Sequence, residues 1–104
     1  MHLHSVQAAL LKIWPELSKR YGEDLGEFTR PQINLTVAEI GMSEDILPYL
    51  FATFLTEAEY KMVKAEMATV DWPAVEKSAQ EAYDSIQHTN WPRAHFYGRG
   101  LFMT

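Results

Sequence analysis

Residues 46–55 read ILPYLFATFL, and this stretch decides the fold of the chain. Eight of its ten residues are apolar, so a helix built from it is apolar on every side. Such a helix must be surrounded by other helices, because no face of it is suited to water. Ser43 is a helix N-cap residue, and Glu44 and Asp45 would follow it in the first turn. Pro48 lies near the start, where few intrahelical hydrogen bonds are lost.

Two helices are predicted before this central tract. Apolar residues recur at steps of three and four over the first part of the chain, as a helical face requires: Val6, Leu10, Ile13, Leu17 and Tyr21. This spacing predicts one helix over 5–21, kinked by Pro15 and ended by Gly22. A second helix is predicted over 31–40, with Pro31 in its first turn and Arg30 extended before it.

Two more helices are predicted after the central tract. Thr56 and Glu59 have the spacing of a capping box, which opens a fourth helix. Its inward residues are Tyr60, Val63 and Met67. A fifth helix is predicted over about 71–88, with a narrow apolar stripe: Val75, Ala79, Ala82 and Ile86.

These segments predict an all-α fold of about five helices around residues 46–55. The chain has 104 residues, the length of one ordinary domain. Residues 1–90 would form the helical domain and residues 91–104 an extended C-terminal arm. Pro92, Gly98 and Gly100 interrupt any helix in that arm.

The amino-acid composition argues against several classes of function. The net charge is −5, which favours solubility and argues against general binding to nucleic acid or membrane surfaces. Cysteine is absent, so no disulfide framework, thiolate nucleophile or cysteine-based zinc site is expected. The first residues lack the basic region of a signal peptide, and no uncharged stretch approaches the length of a membrane helix. A cytoplasmic location is the expectation.

The span TVAEIGMSEDILPYL, residues 36–50, has the apolar pattern and turn glycine of a helix-turn-helix unit. Its second helix would present Glu44 and Asp45 to phosphates, and no lysine or arginine occurs between residues 31 and 60. Pro48 would also interrupt that helix early. Two core helices joined by a tight turn are favoured over a DNA-binding unit.

Catalytic and metal-binding patterns are not found in the sequence. It contains no nucleophile elbow, no HExxH and no phosphate-binding glycine loop. The four histidines lack the spacing of a structural zinc site. We therefore expect no catalytic residue, no metal site and no cofactor.

A family resemblance is carried by Tyr21–Gly22, the Thr29–Pro31 turn and GMSEDILPYLFATFLTEAEY at 41–60. These residues resemble a family of short uncharacterised bacterial helical proteins with a G-x-S…LPY…A-x-FL tract and a proline in the first helix. The likeness covers about residues 10–87. It implies a helical fold and a bacterial source, but no activity, and it does not extend to the tail.

The tail, residues 91–104, contrasts with the rest of the chain because it holds two arginines and no acidic residue. It also carries six large apolar residues, and burying even three of them is worth about 5 kcal/mol before entropic costs. Core packing, a nucleic-acid contact and an arm that grips a second copy all fit this composition. A homodimer arm is favoured, with the α-helical stripe at 75–86 as a second contact. The predicted partner-interface residues are Trp91, Arg93, Tyr97, Arg99 and Phe102.

The predicted function is a small cytoplasmic interaction or adaptor protein that self-associates. One alternative is a small-ligand binder or enzyme with an aromatic pocket between helices. The other is a degenerate helix-turn-helix unit.

Overall fold

The computed structural model describes residues 3–22 and 27–86. Within these ranges the chain forms α1 (Leu3–Tyr21), α2 (Arg30–Glu39), a 3-10 turn (Glu44–Ile46), α3 (Leu47–Phe54), α4 (Glu57–Glu66) and α5 (Trp72–Ile86). No β-strand forms in this part of the chain, where Phe28 and Leu55 make an isolated parallel bridge. The all-α prediction is confirmed.

The central position of α3 is also confirmed. Every residue from Leu50 to Phe54 is buried, and α3 packs against α2, α4 and α5. The buried hydroxyl of Thr53 donates to the carbonyl of Tyr49 at 2.8 Å, so this polar group is paired inside the core. The helix is shorter than predicted, because Ser43 caps the 3-10 turn and α3 begins only at Leu47.

α1 follows the predicted stripe except at its last residue, because Tyr21 is 38% exposed at the helix end. Val6, Leu10, Ile13 and Leu17 are fully buried, and Pro15 lies inside the helix. Gly22 ends it with φ +94°, a conformation that glycine adopts without a steric penalty. Its N–H donates to the carbonyl of Ser18 at 2.9 Å, which satisfies one of the free carbonyls at the helix end.

The stripe of α5 is used within the protomer. Val75, Ala79 and Ala82 are buried, and α5 packs against both α1 and α3. The expectation that this stripe offers a contact to a second copy is therefore wrong for these three residues. Small side chains let the helix axes approach closely inside the bundle, which leaves these positions no exposed surface.

The start of α2 differs from the prediction by one residue. Arg30 is helical, and the extended residue is Thr29, with φ −87° and ψ 162°. Thr29 and Gln32 form a reciprocal capping box: Thr29 Oγ1 accepts from the Gln32 N–H at 3.3 Å, and Gln32 Oε1 accepts from the Thr29 N–H at 2.9 Å. This pair sets the helix boundary, whereas the proline rule alone places it after Arg30.

The capping box predicted at the start of α4 is only half formed. Thr56 Oγ1 accepts from the Glu59 N–H at 3.4 Å, as predicted. The Glu59 carboxylate does not return to Thr56, because its Oε1 accepts from the N–H of Arg30 at 3.3 Å. This contact joins the first turns of α2 and α4.

An aromatic cluster of Trp14, Phe28 and Phe54 closes the C-terminal end of α3. The three rings are buried, with centroids 5.7 to 6.1 Å apart. The N–H of Phe28 donates to the carbonyl of Phe54 at 2.7 Å, which pairs a carbonyl that the helix end leaves free. The short segment before α2 is thus part of the core.

Candidate binding groove

A groove of about 350 Å³ lies beside the N-terminal half of α3. Its walls come from α2, the turn after it, the 3-10 turn, α3 and the end of α4. Six lining residues are apolar: Val37, Ala38, Met42, Leu47, Phe51 and Met67. Three are polar: Arg30, Asn34 and Glu44. An apolar lining with a few polar groups is typical of ligand and peptide sites.

The turn between α2 and the 3-10 turn shapes one wall of the groove. Gly41 has φ +74°, a left-handed conformation that favours glycine. The reversal lets the N–H of Met42 donate to the carbonyl of Val37 at 3.0 Å. Met42 is held half-buried at the groove, and the chain then enters the 3-10 turn.

Arg30 provides the positive charge of the groove. Its guanidinium lies 5.7 Å from the centre of the Phe51 ring, within the range of a cation–π contact. The same group pairs with Glu66 at 3.0 Å. Its side chain is 33% exposed and that of Glu66 is 55% exposed, so this pair lies at the solvent edge. Arg30 can therefore exchange partners without the cost of opening the core.

The rim of the groove carries an excess of negative charge. Glu44 lines it, and Glu59 and Glu66 both contact Arg30. Of these three carboxylates only that of Glu66 contacts the Arg30 guanidinium, because Glu59 accepts from the backbone N–H of Arg30. Because the chain has no lysine or arginine between residues 31 and 60, α2 and α3 contribute no further positive charge after Arg30.

Exposed apolar side chains flank the groove on both sides. On α2, Pro31, Leu35 and Ala38 share one solvent-facing side, and Leu35 is 51% exposed. On α4, Met62 is 62% exposed and lies on the same stripe as Glu59 and Glu66, which contact Arg30. The apolar surface is therefore wider than the groove itself.

A second polar cluster fastens α4 to α5 behind the groove. The Tyr60 hydroxyl donates to Glu76, whose carboxylate also pairs with Lys64 at 3.0 Å. Trp72 packs edge-on against the Tyr60 ring, and its indole N–H donates to the carbonyl of Met67 at 3.0 Å. These contacts hold Met67 in place at the groove.

The structure gives the helix-turn-helix interpretation no usable recognition helix. Residues 50–54 of α3 are all buried, and Leu47, Pro48 and Tyr49 are half-buried. A recognition helix needs an exposed face to enter a major groove. The acidic start of the predicted second helix is the 3-10 turn, which ends before α3 begins.

Five residues predicted to form the partner interface lie outside the described residues: Trp91, Arg93, Tyr97, Arg99 and Phe102. The predicted boundary between the domain at 1–90 and the arm at 91–104 also lies outside them. Over residues 3–22 and 27–86, no three histidine or acidic side chains lie close enough to hold a metal ion. In the same ranges no helix has both the length and the apolar character to cross a bilayer.

Comparison of the chain with protein-family models, with curated proteins and with solved structures gives no match. The resemblance to the short bacterial helical family remains an expectation. The groove and the composition of the chain are therefore the grounds on which a function can be proposed.

Sequence patterns do not reveal the groove, although they single out several of its residues. They predict Met67 as an inward residue and place Arg30 at the extended position before the second helix. One signal is available: Arg30 is the last cation before thirty residues without another. The place of Arg30 in the groove depends on Phe51 and Glu66 lying beside it, and no local sequence pattern shows that they do.

Proposed function

We propose that the chain is a cytoplasmic protein-interaction or adaptor protein that self-associates, and that the groove is its binding surface. The observation that carries this proposal is the open groove itself, with apolar walls and an acidic rim. Leu35 on α2 and Met62 on α4 are further exposed apolar side chains on two of the helices that form it. Contiguous exposed apolar surface of this kind marks interaction sites in soluble proteins.

The composition of the groove suits a protein partner. Met42 and Met67 have flexible, polarisable side chains that adapt to the shape of an inserted group. Arg30 belongs to a residue type that dominates interface energies when it becomes fully desolvated, and its side chain is 33% exposed. The carboxylates at the rim would orient a cationic partner and speed its association more than they raise affinity.

The tail supports self-association. Trp91, Tyr97 and Phe102 supply aromatic anchors, while Arg93 and Arg99 supply charge opposite to that of the acidic remainder of the chain. A homodimer joined through residues 91–104 would remove these side chains from water.

Light scattering on the full chain and on a chain ending at Asn90 tests this proposal. At tens of micromolar, an interface of ordinary micromolar affinity is occupied, so the full chain should have the mass of a dimer. The shortened chain should be a monomer with an unchanged helical circular-dichroism spectrum. A full chain that is monomeric at this concentration would remove the self-association proposal.

A second candidate is a small-ligand binder that uses the same groove. The observation that favours it is the Arg30 guanidinium over the Phe51 ring, with Asn34 beside them in a groove at the lower end of the usual ligand-site volumes. An amphipathic carboxylate would match this chemistry. Thermal denaturation with octanoate and with uncharged octanol separates the candidates: only the carboxylate should raise the melting temperature, and Arg30→Gln should abolish the rise.

A further inference from the structure

We propose that the groove receives residues 91–104 of a second copy of this chain, so that two protomers exchange tails reciprocally. This inference rests on the proposed self-association and names its receptor site. The occupant is a defined segment of the same chain, and its charge and its side chains favour it.

Charge complementarity is the first reason for this pairing. The tail carries Arg93 and Arg99 and no acidic residue, whereas Glu44 lines the groove and Glu66 pairs with Arg30 at its solvent edge. Glu44 and Glu66 are exposed, so both can pair with an incoming cation. A tail arginine that pairs with Glu66 would replace Arg30 in that ion pair, and Arg30 would keep its contact with the Phe51 ring.

Side-chain size is the second reason. A groove of about 350 Å³ is too small for a whole folded segment and suits one or two aromatic side chains. The tail supplies Trp91, Phe96, Tyr97 and Phe102. Met42 and Met67 make favourable sulfur–aromatic contacts with such rings, in addition to the area that they bury.

Reach limits which tail residues of the same chain could enter the groove. α5 begins beside the groove, because Trp72 bonds the carbonyl of Met67, and its other end at Ile86 lies about 21 Å further along the helix. Fully extended, the chain from Ile86 to Trp91 covers about 17 Å, which is too short to return. Trp91 of the same chain is therefore the tail aromatic that falls short, whereas Tyr97 and Phe102 lie far enough along the chain to return. The complementation experiment separates this folding back from exchange with a second copy.

Reciprocal exchange also gives the assembly a closed form. Each protomer offers one groove and one tail, so two copies related by a twofold axis satisfy both sites. A dimer is then the end point, and open chains of protomers are not expected when both exchanges can form at once.

Substitution at the groove wall tests this inference in the full chain. Ala38 lines the groove on the exposed side of α2, so Ala38→Arg should fold normally while it fills the groove and repels the cationic tail. Both grooves of the symmetric dimer carry the substitution, so the dimer dissociation constant should rise by about 1,000-fold, which is roughly 30-fold for the anchor lost at each groove. Ala65→Arg is the matched control, because Ala65 is an exposed alanine on α4 that does not line the groove.

A complementation experiment tests the exchange directly. The partner variant keeps the groove but carries Trp91→Ala, Tyr97→Ala and Phe102→Ala. Each variant alone should be monomeric by light scattering. An equimolar mixture with Ala38→Arg should form a heterodimer, since one chain supplies the intact tail and the other the intact groove. Circular dichroism and thermal melting confirm that every variant is folded.

The outcomes separate this inference from the proposed function. If the full chain and Ala38→Arg dimerise equally well, the groove inference is wrong and self-association stands. If the full chain is a monomer at tens of micromolar, the groove inference and the proposed self-association are both wrong. If the two variants stay monomeric when mixed at concentrations far above the dissociation constant of the native dimer, exchange into the groove of a second copy is ruled out.

Discussion

The two ends of α3 differ in a way that separates stability from function. At its C-terminal end, Phe54 packs against Trp14 and Phe28 in a closed aromatic cluster. At its N-terminal end, the half-buried Leu47 lines an open groove with charged residues at the rim, and the buried Phe51 ring forms the adjoining wall. The C-terminal end of α3 is therefore covered by packed rings, whereas its N-terminal end borders a groove that is open to solvent.

The difference arises from the segment of chain that lies against each end of the helix. The Phe28 segment crosses the C-terminal end, where its N–H pairs the carbonyl of Phe54 and its ring fills the remaining space. The N-terminal end is approached by the 3-10 turn, whose Glu44 and Asp45 stay in water. Carboxylates cannot be buried without partners, so this turn cannot close its end of the helix in the same way.

The largest effect is expected at Leu50, midway between the two ends. Leu50 is fully buried, and Leu50→Asp would place an unpaired carboxylate in the core, which we expect to abolish the folded state. Far-ultraviolet circular dichroism of the purified variant measures this. A variant with native helix content and a cooperative melt would show that α3 is not the centre of the fold.

A matched pair of truncations compares the two ends. Phe54→Ala at the closed end should lower the free energy of unfolding by about 3–5 kcal/mol, because a buried ring leaves a cavity. Met67→Ala at the open end should cost only about 1 kcal/mol, since Met67 is half-buried and solvent can occupy the space. Urea denaturation measures both, and equal losses would contradict the distinction between the ends.

Removing the cap of α2 should have a smaller effect, of about 1 kcal/mol. Thr29→Ala deletes the hydroxyl that accepts from the Gln32 N–H and leaves the first turn of α2 uncapped. Thr69→Ala provides the control, because Thr69 is exposed in a turn. We expect the two variants to differ in urea denaturation. Identical midpoints of urea denaturation would mean that the capping box does not stabilise α2.

The smallest stability effect is expected at the groove rim. Glu66→Gln removes the charge that pairs with Arg30, and a pair this exposed should contribute less than about 1 kcal/mol. The free energy of unfolding from urea denaturation should be almost unchanged. A loss as large as that of Phe54→Ala would show that the open end is also a main source of stability.

The sequence by itself determined the helices and the identity of the central one. Steps of three and four in α1, the apolar tract of α3 and the hydroxyl caps at Ser43 and Thr56 all act within one or two turns. Such signals depend only on neighbours in the chain, so they can be interpreted without knowing the fold. The chain composition likewise set the contrast between the acidic body and the basic tail.

Only the tertiary structure decided where the core is closed and where it is open. Glu59 bonds Arg30 instead of Thr56, and Arg30 lies between Phe51 and Glu66, residues far from it in sequence. The alanines of α5 could have faced a partner, yet they are buried where α5 packs on α1 and α3. Local periodicity specifies which side of a helix is apolar but not which neighbour covers it. That choice depends on how all the helices pack at once, and it leaves the N-terminal end of α3 as an open groove.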